Sequence, residues 1–80
     1  IMRAPDGTLV FVEVRHRKTA THGGAAASVG ALKQRRIVFA ARHFISRLAS
    51  VPPCRFDVIC ITGVGTSREV EWLPAAFDAT

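Results

Sequence analysis

Two opposite charges lie two residues apart in an otherwise apolar segment, Glu13 and Arg15 in Phe11-Val12-Glu13-Val14-Arg15. A carboxylate is a ligand that Mg²⁺ or Mn²⁺ prefers, and a nearby cation can stabilise the charge that develops on a phosphate during hydrolysis. The plainer alternative is a surface ion pair worth about 0–1 kcal/mol. Because the spacing Glu-x-Arg is common, the pair by itself does not decide between the two.

The segment that carries this pair is predicted to be a strand from Thr8 to Arg17, because it is rich in β-branched residues and alternates toward its end. Successive side chains of a strand point to opposite faces, so Glu13 and Arg15 share one face. The preceding Pro5-Asp6-Gly7 is typical of a turn and predicts an antiparallel strand before it.

A helix is predicted after a loop of small residues, with Ser28 as its cap and its end near Ala49. Pro52-Pro53 would stop it. Six apolar residues form one stripe at helical spacing: Val29, Ile37, Ala40, Ala41, Phe44 and Leu48. We expect the helix to pack on the sheet through Ile37, Phe44 and Leu48, so that Phe44→Ala costs about 3–5 kcal/mol if Phe44 is fully buried.

A second strand is predicted from Arg55 to Thr62, where a nearly continuous apolar run indicates cover on both faces. A glycine-containing turn at Gly63 to Ser67 leads to a short edge strand, Glu69 to Leu73, and Pro74 is expected to begin a short terminal helix. A strand–helix–strand passage of this length predicts a crossover between parallel strands. The fold class is therefore α/β, a mixed sheet with a crossover helix.

Charge is distributed unevenly along the chain, whose net charge is +5. Residues 1–55 hold ten Lys or Arg against two acidic residues, a balance of +8, and residues 56–80 hold one Arg against four acidic residues, a balance of −3. A basic segment of this kind favours binding to polyanions such as nucleic acid. The longest uncharged apolar run in that segment, Ile37 to Ala41, is far shorter than the roughly 20 residues that span a membrane, and no secretion signal is recognisable. These features predict a cytoplasmic protein that does not associate with membranes.

Several other polar residues have plainer interpretations. Asp57 in the apolar strand needs a partner, for which Arg55 or a backbone amide would serve. Cys54 and Cys60 lie too far apart on an extended strand for a strain-free disulfide and are interpreted as core thiols. Trp72 is expected to pack on the sheet edge, although an exposed Trp could stack on a base.

Three separate segments resemble the YraN family in order, spacing and residue type: FVEVRHRKTATHGGAAASVGALKQRRI, PCRFDVICITG and EVEWLPAAFDA. The resemblance implies a restriction-endonuclease-like fold and a predicted endonuclease distantly related to archaeal Holliday-junction resolvases. In that family the segment around Glu13 and Arg15 is similar to the Glu-x-Lys half of a metal-dependent nuclease signature. Glu13 takes the metal-ligating position, and Arg15 stands where Lys is usual. Arg cannot lose its proton at workable pH, so it can stabilise charge but cannot act as a general base.

The resemblance also implies roles for residues beyond this pair. Lys33 and Gln34 match a Lys-Gln pair expected near the nuclease cleft. Five further polar residues are candidate contacts for DNA on their own chemistry, although a solvated surface is the plainer interpretation of the arginine pair: Arg17, Lys18, His22, Arg35 and Arg36. The other half of the signature is an Asp in a Gly-Glu-Ile-Asp-Leu strand that would lie just before Ile1. We therefore expect residues 1–80 to be a single nuclease-like domain without its N-terminal helix and most of its first strand.

Two hypotheses follow for the function. The first is a Mg²⁺- or Mn²⁺-dependent endonuclease that acts on DNA phosphodiester bonds, with branched DNA as a candidate substrate and a homodimer as the expected assembly by analogy. The alternative is a non-catalytic protein that binds nucleic acid or another partner and keeps the nuclease fold. An Asp upstream that shares a cation with Glu13 distinguishes the first from the second.

Overall fold

A computed structural model describes residues 1–18 and 29–78 and shows one mixed sheet with a single long helix on one face. The elements in chain order are β1 (Met2–Arg3), β2 (Leu9–Arg17), α1 (Ala31–Ile45), β3 (Cys54–Thr62) and β4 (Glu69–Phe77). The predicted α/β class is confirmed, and the arrangement is consistent with a restriction-endonuclease-like core. No helix within the described residues has the length and apolar character needed to span a membrane.

The strands lie in the order β1-β2-β3-β4. β2 and β3 are parallel, as predicted, with Phe11 opposite Phe56 and Arg15 opposite Cys60. β1 and β4 pair antiparallel with the outer sides of this central pair. Parallel strands cannot be joined by a tight turn, so the chain between β2 and β3 includes α1.

The β1–β2 turn forms as its sequence predicts. Gly7 takes a φ of +92°, which side chains other than Gly rarely adopt. The Ala4 amide donates to the Thr8 carbonyl at 2.8 Å, and the Thr8 amide donates to Asp6 Oδ1 at 3.0 Å. The bond from the Thr8 amide lowers the pKa of Asp6. This turn fixes the register of β1 on β2.

The core lies between α1 and the sheet. Leu9, Phe11 and Phe56 from the strands pack against Val38 and Ala41 of the helix. Phe11 stacks on Phe56 with ring centroids 5.5 Å apart, and Phe56 stacks on Phe77 at 5.1 Å. A row of stacked rings thus crosses β2, β3 and β4 beneath the helix.

The predicted bounds of the helix, Ser28 to Ala49, were too wide. α1 begins at Ala31 after Gly30, which makes no side-chain cap bond, and Ser28 lies outside the described residues. The helix ends at Ile45. After it, the Arg47 and Leu48 amides donate hydrogen bonds to the Phe44 and Ile45 carbonyls, in the tighter i to i+3 pattern. The helix therefore ends before Pro52 is reached.

The predicted stripe was correct at four of its six residues, which are buried or pack against the core: Val29, Ile37, Ala41 and Leu48. Val38 and Ala41 face the sheet, whereas Ala40 is exposed and Phe44 keeps 40% of its surface exposed. Phe44 meets the edge of the Phe11 ring at a centroid distance of 6.1 Å, on the flank of the interface. Phe44 is therefore a border residue of the core and not its centre.

The predicted terminal helix at Pro74 was wrong, because β4 continues to Phe77. The ladder to β3 is irregular between Phe56 and Val58, and Ala75 takes a positive φ of 51° at this bulge. Among the described strands β4 is an outer one, where a Pro without an amide hydrogen is tolerated. The return to regular pairing places Phe77 opposite Phe56 and completes the aromatic row.

Candidate nuclease site

Glu13 and Arg15 lie on the face of β2 that also carries Phe11, the face that α1 covers. Their neighbours across β3 are Val58 and Cys60, both fully buried. The two charged side chains therefore lie at the border of the core, further along β2 than Phe11. Such groups need a charged or hydrogen-bonding partner.

The partner of Glu13 is Lys33 in the first turn of α1. Lys33 Nζ lies 3.3 Å from Glu13 Oε2, and the side chains are 48% and 20% exposed respectively. The ion pair that sequence offered as the plainer alternative, Glu13 with Arg15, is replaced by this contact between strand and helix. A partly exposed pair of this kind contributes at most about 1 kcal/mol, so it leaves the carboxylate open to other ligands.

Arg15 is half-buried, and its Nε atom is buried without a hydrogen-bond partner among the described residues. A buried donor without a partner costs roughly 1–3 kcal/mol. A guanidinium in this state favours an acceptor that approaches from outside the described part of the chain.

Gln34 follows Lys33 but points elsewhere, since consecutive helix residues are turned by about 100°. Its Nε2 donates to the Val29 carbonyl at 2.9 Å and so ties the chain before α1 to the helix. The structure therefore brings Lys33 to Glu13 and gives Gln34 a contact at the beginning of the helix.

The predicted DNA-contacting residues occupy different situations. Arg17 is half-buried, and its Nε donates to Thr62 Oγ1 at 2.9 Å. Lys18, Arg35 and Arg36 are exposed to solvent. His22 lies outside the described residues. Lys18 is the residue directly after β2, and the two arginines follow Lys33 on α1, so all three lie on or beside the elements that carry Glu13 and Lys33.

Asp57 lies on the opposite face of the sheet and has the structural role that its sequence context predicts. It is 1% exposed and accepts four hydrogen bonds: two from Arg55 at 2.9 and 3.0 Å, one from Trp72 Nε1 at 2.9 Å and one from the Ala75 amide at 2.9 Å. Burial alone would raise the pKa of Asp57, but the bonds from Arg55, Ala75 and Trp72 outweigh it and hold that pKa below its ordinary value. The same contact raises the pKa of Arg55. Sequence reasoning found Arg55 but missed Trp72, although an indole N–H near an apolar strand usually has an acceptor.

Both cysteines are free thiols, Cys60 buried and Cys54 exposed. The core interpretation is thus confirmed for Cys60 and wrong for Cys54, which lies at the first residue of β3. No three His, Cys, Asp or Glu side chains come together as a metal site within residues 1–18 and 29–78. Glu13 is thus a single carboxylate at this position, and a site for Mg²⁺ or Mn²⁺ built on it would need further oxygen ligands.

Comparison with known proteins gives one consistent result. Residues 1–61 match the model of the uncharacterised protein family UPF0102. Members of that family from Polaromonas naphthalenivorans and Methylibium petroleiphilum are 62% identical over 85 residues and 60% identical over 80 residues, and each alignment covers 100% of this chain. A third, from Albidiferax ferrireducens, is 62% identical over 80 residues and covers 99% of it. No solved structure matches.

The chain spans less than two thirds of the length of these relatives: 56%, 62% and 59% in the same order. The names of these relatives state the family and no activity.

Proposed function

We propose that this chain, which belongs to the uncharacterised protein family UPF0102, carries one half of the active site of a Mg²⁺- or Mn²⁺-dependent endonuclease that cleaves DNA phosphodiester bonds. UPF0102 is the YraN family, so the resemblance seen in the sequence is confirmed. The observation that carries the proposal is the register of β1 on β2.

In this register Met2 lies opposite Val10, and Arg3 lies opposite Leu9. In an antiparallel pair each step back along β1 is one step forward along β2. If residues before Ile1 continue the register, the second of them lies opposite Glu13. In the Gly-Glu-Ile-Asp-Leu pattern of the family, that residue is the Asp when the Leu directly precedes Ile1.

Directly opposed residues of an antiparallel pair share a face, with Cβ atoms about 4.5–5.5 Å apart. Two carboxylates at that separation can hold one divalent cation between them. Mg²⁺ is commonly bound by one or two carboxylates and keeps several water molecules, which leaves positions for a phosphate. Glu13 and an Asp at that upstream position would fit this requirement, and the bound metal would supply the activated water.

The described residues supply the remaining parts of such a site. Arg15 follows Glu13 on the same face, and its Nε is buried without a partner among the described residues, so its guanidinium can meet the charge that develops on the phosphate. Lys33 already lies at the Glu13 carboxylate and gives a second cation at the same place. Lys18, Arg35 and Arg36 are exposed on the flanking elements, where they can hold the DNA backbone.

The test is cleavage of labelled branched and linear DNA by the complete protein, with Mn²⁺, with Mg²⁺ and with a chelator. Glu13→Gln should abolish cleavage and keep DNA affinity, because the metal loses a ligand while the surface loses a negative charge. Glu69→Gln is the matched control, since Glu69 is an exposed carboxylate of β4, separated from β2 by β3. Cleavage by Glu13→Gln at the parent rate would place the metal elsewhere.

Arg15→Ala in the same assay should lower the cleavage rate more than it lowers affinity, because its contact is expected to strengthen in the transition state. DNA binding by the parent protein without any cleavage in either metal would support the non-catalytic alternative. We expect the protein to cleave branched DNA in preference to linear DNA. We also expect it to sediment as a dimer.

A further inference from the structure

We propose that the solvent-facing side of α1 binds an unpaired base of the nucleic acid through the ring of Phe39. The inference rests on the proposed nuclease function and extends it, since it names unpaired nucleotides beside the cleavage site as a feature that the protein recognises. Phe39 is 69% exposed, more than any other aromatic side chain of the described residues. Its ring stacks on His43 one helical turn later, with centroids 5.8 Å apart and planes 23° apart. The helix thus holds a flat aromatic surface in water.

On α1 itself, the polar neighbours of Phe39 are three arginines and a histidine. Residues three and four positions away are its neighbours on a helix, and here they are Arg35, Arg36, Arg42 and His43. α1 contains no Asp or Glu. An exposed aromatic ring among cations is the combination that binds single-stranded nucleic acid, in which bases stack on rings and phosphates meet the positive charges.

A groove of about 540 Å³ lies beside this ring, between α1 and the end of β4. Gln34, Arg35, Phe39 and Arg42 line it from the helix, and Asp78 lines it from the other side. This volume is within the range of about 300–1,000 Å³ usual for sites that hold small molecules, so a base with its sugar fits. The Asp78 carboxylate could accept a hydrogen bond from an exocyclic amino group of the base.

A protein partner or a second copy of the chain fits this face less well. Leu32 and Phe39 are its large exposed apolar side chains, at 59% and 69%, and a stable protein interface buries about 800 Å² on each partner. A twofold contact through this face would also set the arginines of one copy against those of the other. A planar base on a polyanionic backbone meets both the ring and the charges.

The position of Phe39 suits a strand that also reaches the candidate site at Glu13. Phe39 follows Lys33 by six residues, about 9 Å along the helix axis, and Lys33 contacts Glu13. Because six residues also turn the side chain by about 240° around the axis, a strand bound at Phe39 has to pass partly round the helix, a path of a few nucleotides, to reach Glu13.

The experiment measures binding of the complete protein to a fluorescent single-stranded oligonucleotide and to a blunt duplex of the same sequence and length. Phe39→Ala should weaken single-strand binding about 5- to 150-fold, which corresponds to the loss of stacking on one base, and change duplex affinity by less than about twofold. Phe39→Trp should preserve single-strand binding and add a fluorescence signal that the oligonucleotide quenches. Val64→Ala, which removes an exposed apolar side chain from the β3–β4 turn, is the matched control and should change neither affinity.

Equal losses for both DNA forms, or no loss for either, would overturn the inference. So would a Phe39→Leu variant that binds the single strand as well as the parent does, because an aliphatic side chain cannot stack on a base. A change in oligomeric state with unchanged DNA affinity would mark this face as a protein interface. If Glu13→Gln abolishes cleavage while Phe39→Ala behaves as the parent, this inference alone fails. If the parent binds neither DNA form at low salt, the proposed function fails as well.

Discussion

At the scale of single residues, the most constrained group in the structure is Asp57. Each of its carboxylate oxygens accepts two hydrogen bonds, so the side chain joins β3 to β4 through Trp72 and the Ala75 amide. Ala75 is the residue with positive φ at the bulge, where the missing local pairing exposes its amide to the carboxylate. Asp57 therefore holds the irregular part of β4 in place.

Replacement of Asp57 by Asn should destabilise the fold by about 3 kcal/mol, because the amide nitrogen cannot accept and at least one buried donor loses its partner. Urea unfolding at pH 7 measures this free energy. Trp72→Phe removes one donor and keeps the ring, so it should cost less, about 1 kcal/mol. Equal stability of Asp57→Asn and the parent would show that this network does not stabilise β4.

The Asp57 network also predicts how stability depends on pH. The pKa of Asp57 is lowered in the folded protein, so the unfolded chain binds the proton more tightly. The free energy of unfolding therefore rises as the pH rises through the acidic range in which Asp57 loses its proton. The contribution is fully present above about pH 4–5 and is lost as the pH falls through the folded pKa. Asp57→Asn should therefore show a shallower loss of unfolding free energy between pH 5 and pH 3. The slope that remains reports the other carboxylates, including Asp6, whose pKa is also lowered.

At the scale of elements, the site depends on how α1 lies on the sheet. The helix contacts the sheet through Val38 and Ala41 over the stacked rings of Phe11 and Phe56. Lys33 in its first turn meets Glu13 on β2. The packing that makes the core therefore also sets the distance between Lys33 on α1 and Glu13 on β2.

Two phenylalanines of this interface should differ in their contribution to stability. Phe56→Ala should cost about 3–5 kcal/mol because Phe56 is buried and stacks on two rings. Phe44→Ala should cost about 1–2 kcal/mol, because Phe44 is already 40% exposed and makes one edge contact. Chemical denaturation of the two variants under the same conditions gives the comparison. A larger loss for Phe44→Ala would place that side chain in the core after all.

At the scale of the whole molecule, the charge imbalance of the sequence becomes a property of surfaces. α1 carries Lys33, Arg35, Arg36 and Arg42 with no acidic residue, whereas two of the four acidic residues after position 55 lie exposed on β4. The field of the molecule therefore favours approach of a polyanion from the side of the helix.

Affinity of the complete protein for DNA should fall steeply with salt concentration, since each phosphate contact releases counterions. Replacement of Arg35 and Arg36 together by Gln should lower the slope of log K against log salt by up to about two units. Fluorescence anisotropy titrations at several salt concentrations measure the slope. An unchanged slope would mean that these two side chains do not contact the DNA backbone, and Phe39→Ala, which removes no charge, should leave the slope as it is.

Local pattern was sufficient where a residue's environment depends on its own strand or turn. The strand from Leu9 to Arg17, the parallel strand ending at Thr62 and the turn at Gly7 agree with prediction, because alternation, β-branching and glycine act over a few residues. The sequence also determined that Glu13 and Arg15 share a face, because that follows from the two-residue period of a strand. It could likewise show that Asp57 needs a partner, because a charge in an apolar strand must be neutralised.

Tertiary contacts decided the rest. The strand pattern is interrupted at Pro74, but the Asp57 carboxylate accepts from the Ala75 amide and Phe77 pairs with Phe56, so β4 continues where a helix was expected. The buried side of α1 differs from the predicted stripe at Val38, which packs over the aromatic row, and at Ala40 and Phe44, which are exposed. The placement of the helix on the sheet also brings Lys33 to Glu13 and leaves Phe39 exposed to solvent. Helical periodicity defines faces but not their direction, and the direction is set by the shape of the surface on which the helix packs.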